Sequence, residues 1–295
     1  RFATQADGAN SSQYTTGVTT NGTPGQAGAY TRITVAASAP TLFYYCTNHS
    51  GMGGQANTPV TNSFSNFAGS IQSNISPNTT SKFSIVKYTG TGSNATVGHN
   101  LSAVPKMIIV KRYNDGTASW MVYHQNLGNT KYLSLDTTAA EDTLAAWNNT
   151  TPTSSVFSVG TDQRVNANGA SYIAYVFADV QGFSKMGSYP GNGNADGTFV
   201  YTGFKPAFVM IKNASITTNW VMIDNKRPGF NSNNYFLSPN LSDAETTNYG
   251  LEILSNGFKP LTNLSWINET GSNIVYMAFA ENPFTSSTGT PVTAR

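Results

Sequence analysis

Apolar residues in this chain occur in short runs that are rich in β-branched and aromatic side chains. Met107 to Lys111 and Phe208 to Lys212 are two such runs, and a proline lies just before each of them. Because proline disfavours helical backbone in the residue that precedes it, we predict that both runs are strands. Further strands are predicted over Trp120–His124, Trp220–Asp224, Tyr172–Phe177 and Ile274–Phe279.

Turn-forming pairs separate these runs. Asp115-Gly116, Asn192-Gly193 and Asn256-Gly257 are the residue pairs that tight hairpin turns prefer. Helix signals are poor, and only Thr138 to Trp147 has a helix-like composition. The pattern therefore predicts an all-β fold.

The pattern of runs occurs twice in the same order. Phe83-Ser84 begins the first copy and Phe183-Ser184 begins the second, and matched positions stay 100 to 104 residues apart. Shared composition alone would not keep this order, so we predict two homologous domains, 83–182 and 183–284, each a β-sandwich of the jelly-roll kind. The other matched segments are 105–111 with 206–212, 120–122 with 220–222, 166–169 with 268–271 and 177–179 with 279–281.

The remaining residues divide into three parts. Residues 1–60 are predicted to form a separate β unit, in which Tyr30 to Val35 alternates like a half-buried strand and Leu42 to Cys46 forms another. Residues 61–82 are predicted to be a linker, and residues 285–295 a Ser/Thr/Gly-rich tail without a packing pattern.

The composition argues against some classes of binding partner. Charged residues make up only 10% of the chain, against roughly 25% in an ordinary soluble protein. The net charge is +2 and Lys and Arg do not cluster, so we expect no nucleic-acid partner. No apolar run approaches the roughly 18 residues that a membrane helix needs, so we expect no membrane anchor. The single cysteine excludes a disulfide within the chain.

The most specific chemical motif surrounds that cysteine. Cys46, His49 and Met52 are spaced Cys-x2-His-x2-Met, the spacing that a blue-copper site uses for its thiolate, one imidazole and its axial thioether. The three residues are a candidate copper site that still needs a second imidazole. The alternative is a loop in which Cys46 is a small buried apolar residue and His49 makes a local hydrogen bond.

Two longer segments resemble known families. Residues 14–20, 22–25, 29–31 and 39–46, which read YTTGVTT, GTPG, AYT and APTLFYYC, resemble a cupredoxin-like module of virion proteins from marine tailed phages, especially cyanophages. The two repeats resemble an uncharacterised β domain from the same phages. The second repeat has the sequence features of this domain: Gly203-Phe204-Lys205-Pro206, Ile211-Lys212-Asn213 and Ser255-Asn256-Gly257-Phe258. The first repeat departs from them, because it has Ala103-Val104-Pro105 at the corresponding strand entry.

The resemblance carries expectations about copper and about the histidines. In the phage module, the first copper-type histidine precedes an Arg-Phe pair like Arg1-Phe2, so copper is expected only if an upstream histidine completes the set. The other two histidines, His99 and His124, are expected to make hydrogen bonds at the surface or at a strand edge.

The aromatic residues suggest a second kind of site. Trp120 and Trp220 occupy the same position in the two repeats, which indicates a structural role in the core. Trp147 and Trp266 do not correspond to each other, so they are candidates for exposed stacking on sugar rings.

These observations predict a function outside catalysis. The sequence has no nucleophile elbow, no phosphate-binding loop and no His-Glu-x-x-His motif, so we do not expect an enzyme. We expect a structural or adhesion component on the virion surface: a head fibre, a capsid decoration or a tail-fibre segment. Its expected partners are other virion proteins and further copies of itself. The alternatives are a carbohydrate-binding module that recognises host surface glycans, and a copper protein.

Overall fold

The computed structural model describes residues 1–6, 13–36, 39–47, 49, 51–56, 63–114, 116–227 and 231–282. It is 43% strand and 5% helix, and its sheets are antiparallel. The all-β prediction is therefore confirmed. The chain divides into two compact units, Arg1–Phe64 and a second that begins at Ser65. The predicted tail, residues 285–295, lies outside the described residues.

The first unit has two small sheets and a small core. β1, β4 and β5 form one sheet, and β2 and β3 form a hairpin. Only Ala3 and Leu42 are fully buried apolar residues among those described in this unit. Tyr30 is 50% exposed, so the hairpin strand that contains it is less buried than its alternating pattern predicted. The strands are β1 (Phe2–Ala3), β2 (Val18–Asn21), β3 (Tyr30–Ile33), β4 (Leu42–Tyr45) and β5 (Gly53–Ala56).

The first repeat is built on one long sheet and one short sheet. The long sheet has the order β13-β12-β11-β10-β15-β8-β7-β6, and β14 pairs with β9 in the short one. These strands are β6 (Phe64–Asn66), β7 (Ser73–Asn78), β8 (Phe83–Thr89), β9 (Ala95–Gly98), β10 (Met107–Arg112), β11 (Met121–His124), β12 (Lys131–Ser134), β13 (Asp142–Thr143), β14 (Val156–Val159) and β15 (Ser171–Phe177). A 3-10 helix spans Ala145–Trp147, and helix α1 spans Gln163–Asn166.

The second repeat has the same plan. Its sheets have the orders β16-β23-β18-β19 and β17-β22-β21-β20. The first order matches β8-β15-β10-β11 strand for strand, and β17 with β22 matches β9 with β14. The elements are β16 (Ser184–Pro190), β17 (Val200–Tyr201), β18 (Pro206–Asn213), β19 (Val221–Asp224), β20 (Asn233–Phe236), β21 (Thr246–Leu254), β22 (Gly257–Pro260), helix α2 (Ser265–Asn268) and β23 (Asn273–Ala280).

A buried asparagine fixes the same turn in each repeat. In the first repeat Asn166 is 0% exposed, and its Oδ1 accepts the backbone N–H of Thr91 at 2.8 Å. Its Nδ2 donates to the carbonyls of Ser93 at 2.6 Å and Gly160 at 2.7 Å. This one buried side chain therefore satisfies three backbone groups, of which the carbonyl of Gly160 is buried.

The second repeat reproduces these bonds with Asn268, which is also 0% exposed. Its Oδ1 accepts the backbone N–H of Asn192 at 3.0 Å, and its Nδ2 donates to the carbonyls of Asn194 at 2.7 Å and Thr262 at 2.8 Å. The matched sequence segments 166–169 and 268–271 therefore form the same asparagine-bonded turn in both repeats.

A glycine makes room for each of these turns. A Cβ on Gly90 would lie 2.3 Å from the carbonyl oxygen of Ala167, and a Cβ on Gly191 would lie 2.1 Å from that of Glu269. Both distances are too short for any side chain, so the two backbones approach this closely only because the residue is glycine.

Residues 65–82 are part of the first repeat, so the predicted linker is wrong for this described stretch. β7 pairs with β8 over six residues, from Ser73–Tyr88 to Asn78–Phe83. Ile71 and Ile75 are 6% and 0% exposed and belong to the core of the repeat. This strand was not predicted because most of its residues are polar. Only one side of β7 faces the core.

Three apolar clusters hold the second unit together. One fills the space between the two sheets of the first repeat, and another does so in the second repeat. The third joins the repeats: it includes Met107 and Val122 from the first, and Met210 and Met277 from the second. The expectation of two separate domains in tandem therefore needs correction, because the repeats share a buried interface. Of the predicted helical segment at 138–147, only the 3-10 helix forms.

Candidate functional site

The Cys46 loop is a tight turn that follows β4. The backbone N–H of Cys46 donates to the carbonyl of Met52 at 2.8 Å, and the N–H of Met52 donates to the carbonyl of His49 at 3.4 Å. Gly51 has φ = 75°, a conformation that glycine adopts without steric cost. The chain therefore folds back on itself within seven residues and returns as β5.

This turn brings two of the three predicted ligands together. The Sγ atom of Cys46 lies 3.3 Å from Nδ1 of His49. One metal ion bonded to both atoms would hold them about 3.5 Å apart, given typical metal–sulfur and metal–nitrogen bonds of roughly 2.3 and 2.0 Å. An S–H···N hydrogen bond also fits this distance. The side chain of Met52 is 59% exposed, so its thioether is not buried against the other two.

The other two histidines do not supply the missing imidazole. His99 and His124 make the hydrogen bonds expected of them, but they are 0% and 1% exposed, so neither lies at the surface. Burial lowers the pKa of each ring to about 4, and both ring nitrogens of each are engaged. His99 bonds the carbonyl of Thr153 and the N–H of Leu101, and His124 bonds the carbonyl of Tyr276 and the N–H of Asn126.

The described residues therefore supply only some of the ligands that a blue-copper site needs. Cys46 and His49 are in place, Met52 is nearby in sequence, and a second imidazole is missing from the described part of the chain. The described residues also contain no group of three or more His, Cys, Asp or Glu side chains with the geometry of a metal site. Copper binding by this loop stays a prediction that depends on a histidine from elsewhere.

Trp147 is not a surface for sugar stacking, and that prediction is wrong. Its side chain is 1% exposed, packs edge-on against Tyr123 at 5.8 Å, and donates from Nε1 to the carbonyl of Lys131 at 3.0 Å. The 3-10 helix turns the ring into the core of the first repeat. Trp266 is half-buried and packs edge-on against Phe236 at 6.4 Å, so it stays a candidate.

A cleft that the sequence did not indicate lies beside the interface between the repeats. Its volume is about 410 Å³. Phe199 and Tyr201 line it and are 46% and 57% exposed. They flank the buried Val200 in β17, so the alternation of a short strand points both rings outward. The sequence alone could not show that Phe199 and Tyr201 are exposed, because their exposure depends on the position of β17 at the edge of its sheet.

Polar groups lie beside these rings. The ammonium of Lys185 lies 5.3 Å from the centre of the Tyr201 ring and donates to the Tyr201 carbonyl at 2.9 Å. Burial raises the pKa of Asp179, whose carboxylate accepts the backbone N–H of Met186 at 2.8 Å. Gln125 reaches the same segment from the first repeat and donates to the Met186 carbonyl at 2.9 Å. The cleft thus combines aromatic faces with fixed hydrogen-bonding groups.

The fold defines this chain as an antiparallel β protein with a duplicated body and no described helix long and apolar enough to span a membrane. Residues 53–283 match the family model described as a domain of unknown function, DUF7483. The match covers more than three quarters of the chain and includes both repeats, so the chain belongs to this family. No curated protein and no solved structure matches it.

Proposed function

We propose that this chain is a non-enzymatic structural or adhesion component of a phage virion, exposed on the particle surface as a head fibre, capsid decoration or tail-fibre segment. In this proposal residues 1–60 are a partial cupredoxin-like module, and each repeat is a β-sandwich of the jelly-roll kind. The resemblance of both parts to virion proteins of marine tailed phages supports it.

The observation that carries the proposal is the shared interface between the repeats. Met107, Val122, Met210 and Met277 pack together across it, so that neither repeat can open without exposing the other. Together with the two buried asparagine turns, this interface makes the second unit one continuous body. A part that endures outside the cell is stabilised by such packing, since local opening is the usual start of proteolysis.

The test is the composition of purified particles from the phage that encodes the chain. Peptides of this protein should copurify with particles through a density gradient, and gold-labelled antibodies should mark a fixed place on the head or tail. Abundant protein in the lysate together with its absence from purified particles would overturn the proposal.

A second candidate function is carbohydrate binding, and the cleft at Phe199 and Tyr201 favours it. Exposed aromatic rings pack against the apolar faces of sugars, and nearby amide, carboxylate and ammonium groups bond their hydroxyls. Asp179, Gln125 and Lys185 supply those three kinds of group. In this candidate function the ligand is a glycan of the host surface.

Glycan arrays test this candidate, with a matched control in the same chain. Tyr201→Ala should abolish binding, whereas Tyr113→Ala should leave it unchanged. Tyr113 is a fair control because it is 51% exposed and also has a lysine, Lys87, over its ring, at 5.5 Å. Trp266→Ala tests the remaining tryptophan candidate. An equal loss in the Tyr201 and Tyr113 variants, or no binding by the parent chain, would contradict the candidate.

Copper binding is the other alternative, and the 3.3 Å approach of Cys46 to His49 favours it. The readout is the intense thiolate-to-copper absorption of a chain extended upstream of Arg1, with Cys46→Ser as the control. Bound copper by elemental analysis and a colour that Cys46→Ser abolishes would support this role. A colourless, metal-free protein would end it.

A further inference from the structure

The two repeats differ beside one equivalent pair of strands. In the first repeat β7 covers the outer side of β8, and the residues just before β7 bond to β9. In the second repeat the equivalent strands are β16 and β17, and β16 is the edge strand of its sheet. Residues 178–183, which lie between β15 and β16, are too few to form a counterpart of β7 and a turn back into β16. Among the described residues, the second repeat therefore has no strand in this place.

Residues 70–74 fill the groove between β8 and β9 in the first repeat. On the β9 side, the N–H of Ile71 donates to the Thr96 carbonyl at 2.9 Å, and the N–H of Thr96 donates to Oγ of Ser70 at 2.8 Å. Ile71 also bridges to Val97 and is only 6% exposed. The segment therefore bonds the outward backbone groups of β9 and buries one apolar side chain.

The same segment bonds β8 on its other side. Asn74 pairs with Lys87. The N–H of Gly90 donates to the Ala170 carbonyl, just before β15. Successive residues of an antiparallel strand turn their backbone groups to opposite neighbours, and Lys87 lies an odd number of positions from Gly90. Lys87 therefore turns its N–H and carbonyl to Asn74.

The cleft of the second repeat lies at the same place. Strand register makes Ser188 the equivalent of Lys87, and Phe199 the equivalent of Thr96. Both Ser188 and Phe199 line the cleft. The cleft is therefore the groove that residues 70–74 fill in the first repeat.

Part of the edge of β16 is already bonded. Asp179 accepts the N–H of Met186, and Gln125 donates to the Met186 carbonyl. Ser184 and Val180 exchange backbone hydrogen bonds at 2.9 and 3.1 Å. These bonds lie where the end of β7 lies in the first repeat, and they protect that part of the edge from further pairing.

Ser188 and Phe199 are not protected in this way. Gly191 bonds to the residue just before β23, and Ser188 lies an odd number of positions from it, so Ser188 turns its backbone groups into the cleft. Thr202 bonds to the residue just before β22, so Phe199 turns its groups into the cleft for the same reason. Within the described part of the chain, these outward groups of Ser188 and Phe199 have no hydrogen-bond partner.

We propose that the cleft binds an extended polypeptide segment of a partner protein, which adds a short strand between β16 and β17. The segment exchanges backbone hydrogen bonds with Ser188 and Phe199, as residues 70–74 do with their equivalents. It has one β-branched apolar residue at the position of Ile71, beside Val200, and small polar residues around it.

The backbone groups favour this occupant over the glycan of the second candidate function. A sugar is held by side chains, whereas the cleft has unbonded backbone groups on both sides, at the positions that bond a strand in the first repeat. Residues 70–74 of the chain are already bonded within the first repeat, so the segment comes from another protein. This inference goes beyond the proposed function, because binding is measured on the purified chain without any virion.

A synthetic peptide of residues 68–75 is the probe, because it has the pattern of the proposed occupant. In an NMR titration of the full chain, the amides of Ser188 and Phe199 should shift and should exchange more slowly with solvent. Unchanged signals at both amides would overturn the proposal. Glycan binding that Tyr201→Ala abolishes, without peptide binding, would also overturn it and would assign the cleft to a sugar.

Two variants of one residue separate backbone recognition from side-chain recognition. Ser188→Pro removes the N–H that faces the cleft, so it should weaken peptide binding about tenfold or more. Ser188→Ala keeps the backbone groups and should bind the peptide like the parent chain. Equal weakening by both variants would contradict strand addition.

A modified peptide gives the same test with the protein unchanged. N-methylation at Asn74 removes the donor to the Ser188 carbonyl, so it should weaken binding about tenfold or more. A peptide with Ile71→Asp should not bind, because its charged side chain would lie beside Val200. Binding of the methylated peptide that equals that of the unmodified one would overturn the proposal.

Discussion

The two repeats share a strand order and a buried asparagine turn, but their equivalent tryptophans differ in environment. Trp220 is 1% exposed and donates to a carbonyl of the first repeat, whereas Trp120 is half-buried and stacks on Tyr175. Because the two residues hold the same position in the same fold, the fold of a repeat does not decide their burial. The neighbouring repeat does.

The equivalent lysines show the same difference. Lys212 is 0% exposed, and its Nζ donates to the carbonyls of Asn213 at 2.6 Å and Ile216 at 3.1 Å, while Lys111 is half-buried. Burial lowers the pKa of Lys212 to about 8. Equivalent positions of the duplicated face are therefore fully buried in the second repeat and partly exposed in the first.

Replacing the two tryptophans should give the largest difference in unfolding free energy between the repeats. Trp220→Ala should cost about 4 kcal/mol of unfolding free energy, because it empties a buried site and leaves the Ser134 carbonyl unsatisfied. Trp120→Ala should cost about 1 kcal/mol, since water can enter the half-exposed site. Urea unfolding of the two variants measures the difference, and equal losses would contradict the unequal burial.

The asparagine turns should instead behave alike. Asn166→Ala and Asn268→Ala should each cost about 3 kcal/mol, because each removes a fully buried side chain that makes three backbone hydrogen bonds. Asn126→Ala is the control, since that side chain is exposed and makes no hydrogen bond among the described residues. Thermal unfolding compares the three. A much larger loss at one turn than at the other would show that the two copies are not equivalent.

The two buried histidines of the first repeat should make the protein less stable in acid. His99 and His124 have a pKa of about 4 in the folded chain and about 6.5 when unfolded, so the unfolded chain takes up protons first as the pH falls. Their stabilisation is complete above pH 6.5 and is lost toward pH 4. At pH near 4.5 the loss should be about 2 to 3 kcal/mol for each.

Urea midpoints between pH 7 and 4.5 measure this loss, and His99→Gln with His124→Gln should flatten the profile. The second repeat has Asp224 where the first has His124. An unchanged slope in the double variant would assign the acid sensitivity to other groups.

The lysines should give the smallest difference. Lys212→Met should cost about 1 to 2 kcal/mol, because two buried carbonyls lose their donor. Lys111→Met should change stability by less than about 0.5 kcal/mol, since solvent replaces its contacts. Calorimetric melting of both variants checks this, and a cost at Lys111 that matched that at Lys212 would contradict the comparison.

The local features of this protein were readable from its sequence. Proline-led apolar runs at Met107 and Phe208 became strands, and the matched segments at 166–169 and 268–271 became the asparagine turns. The Cys46 spacing placed the thiol next to the His49 ring. The strands and the Cys46 loop depend on residues close in sequence, and the asparagine turns were marked by the repeat of their segments. A sequence displays both kinds of information directly.

Tertiary structure alone decided which faces are covered. Nothing in the sequence near Trp147 distinguishes a core ring from an exposed one, and the polar residues of β7 conceal a strand that pairs with β8. The same holds for Trp120 and Trp220, whose local sequences match while their burial differs. Burial depends on contacts between residues about a hundred positions apart, so only the packing of one repeat on the other decides which copy of a duplicated face becomes core.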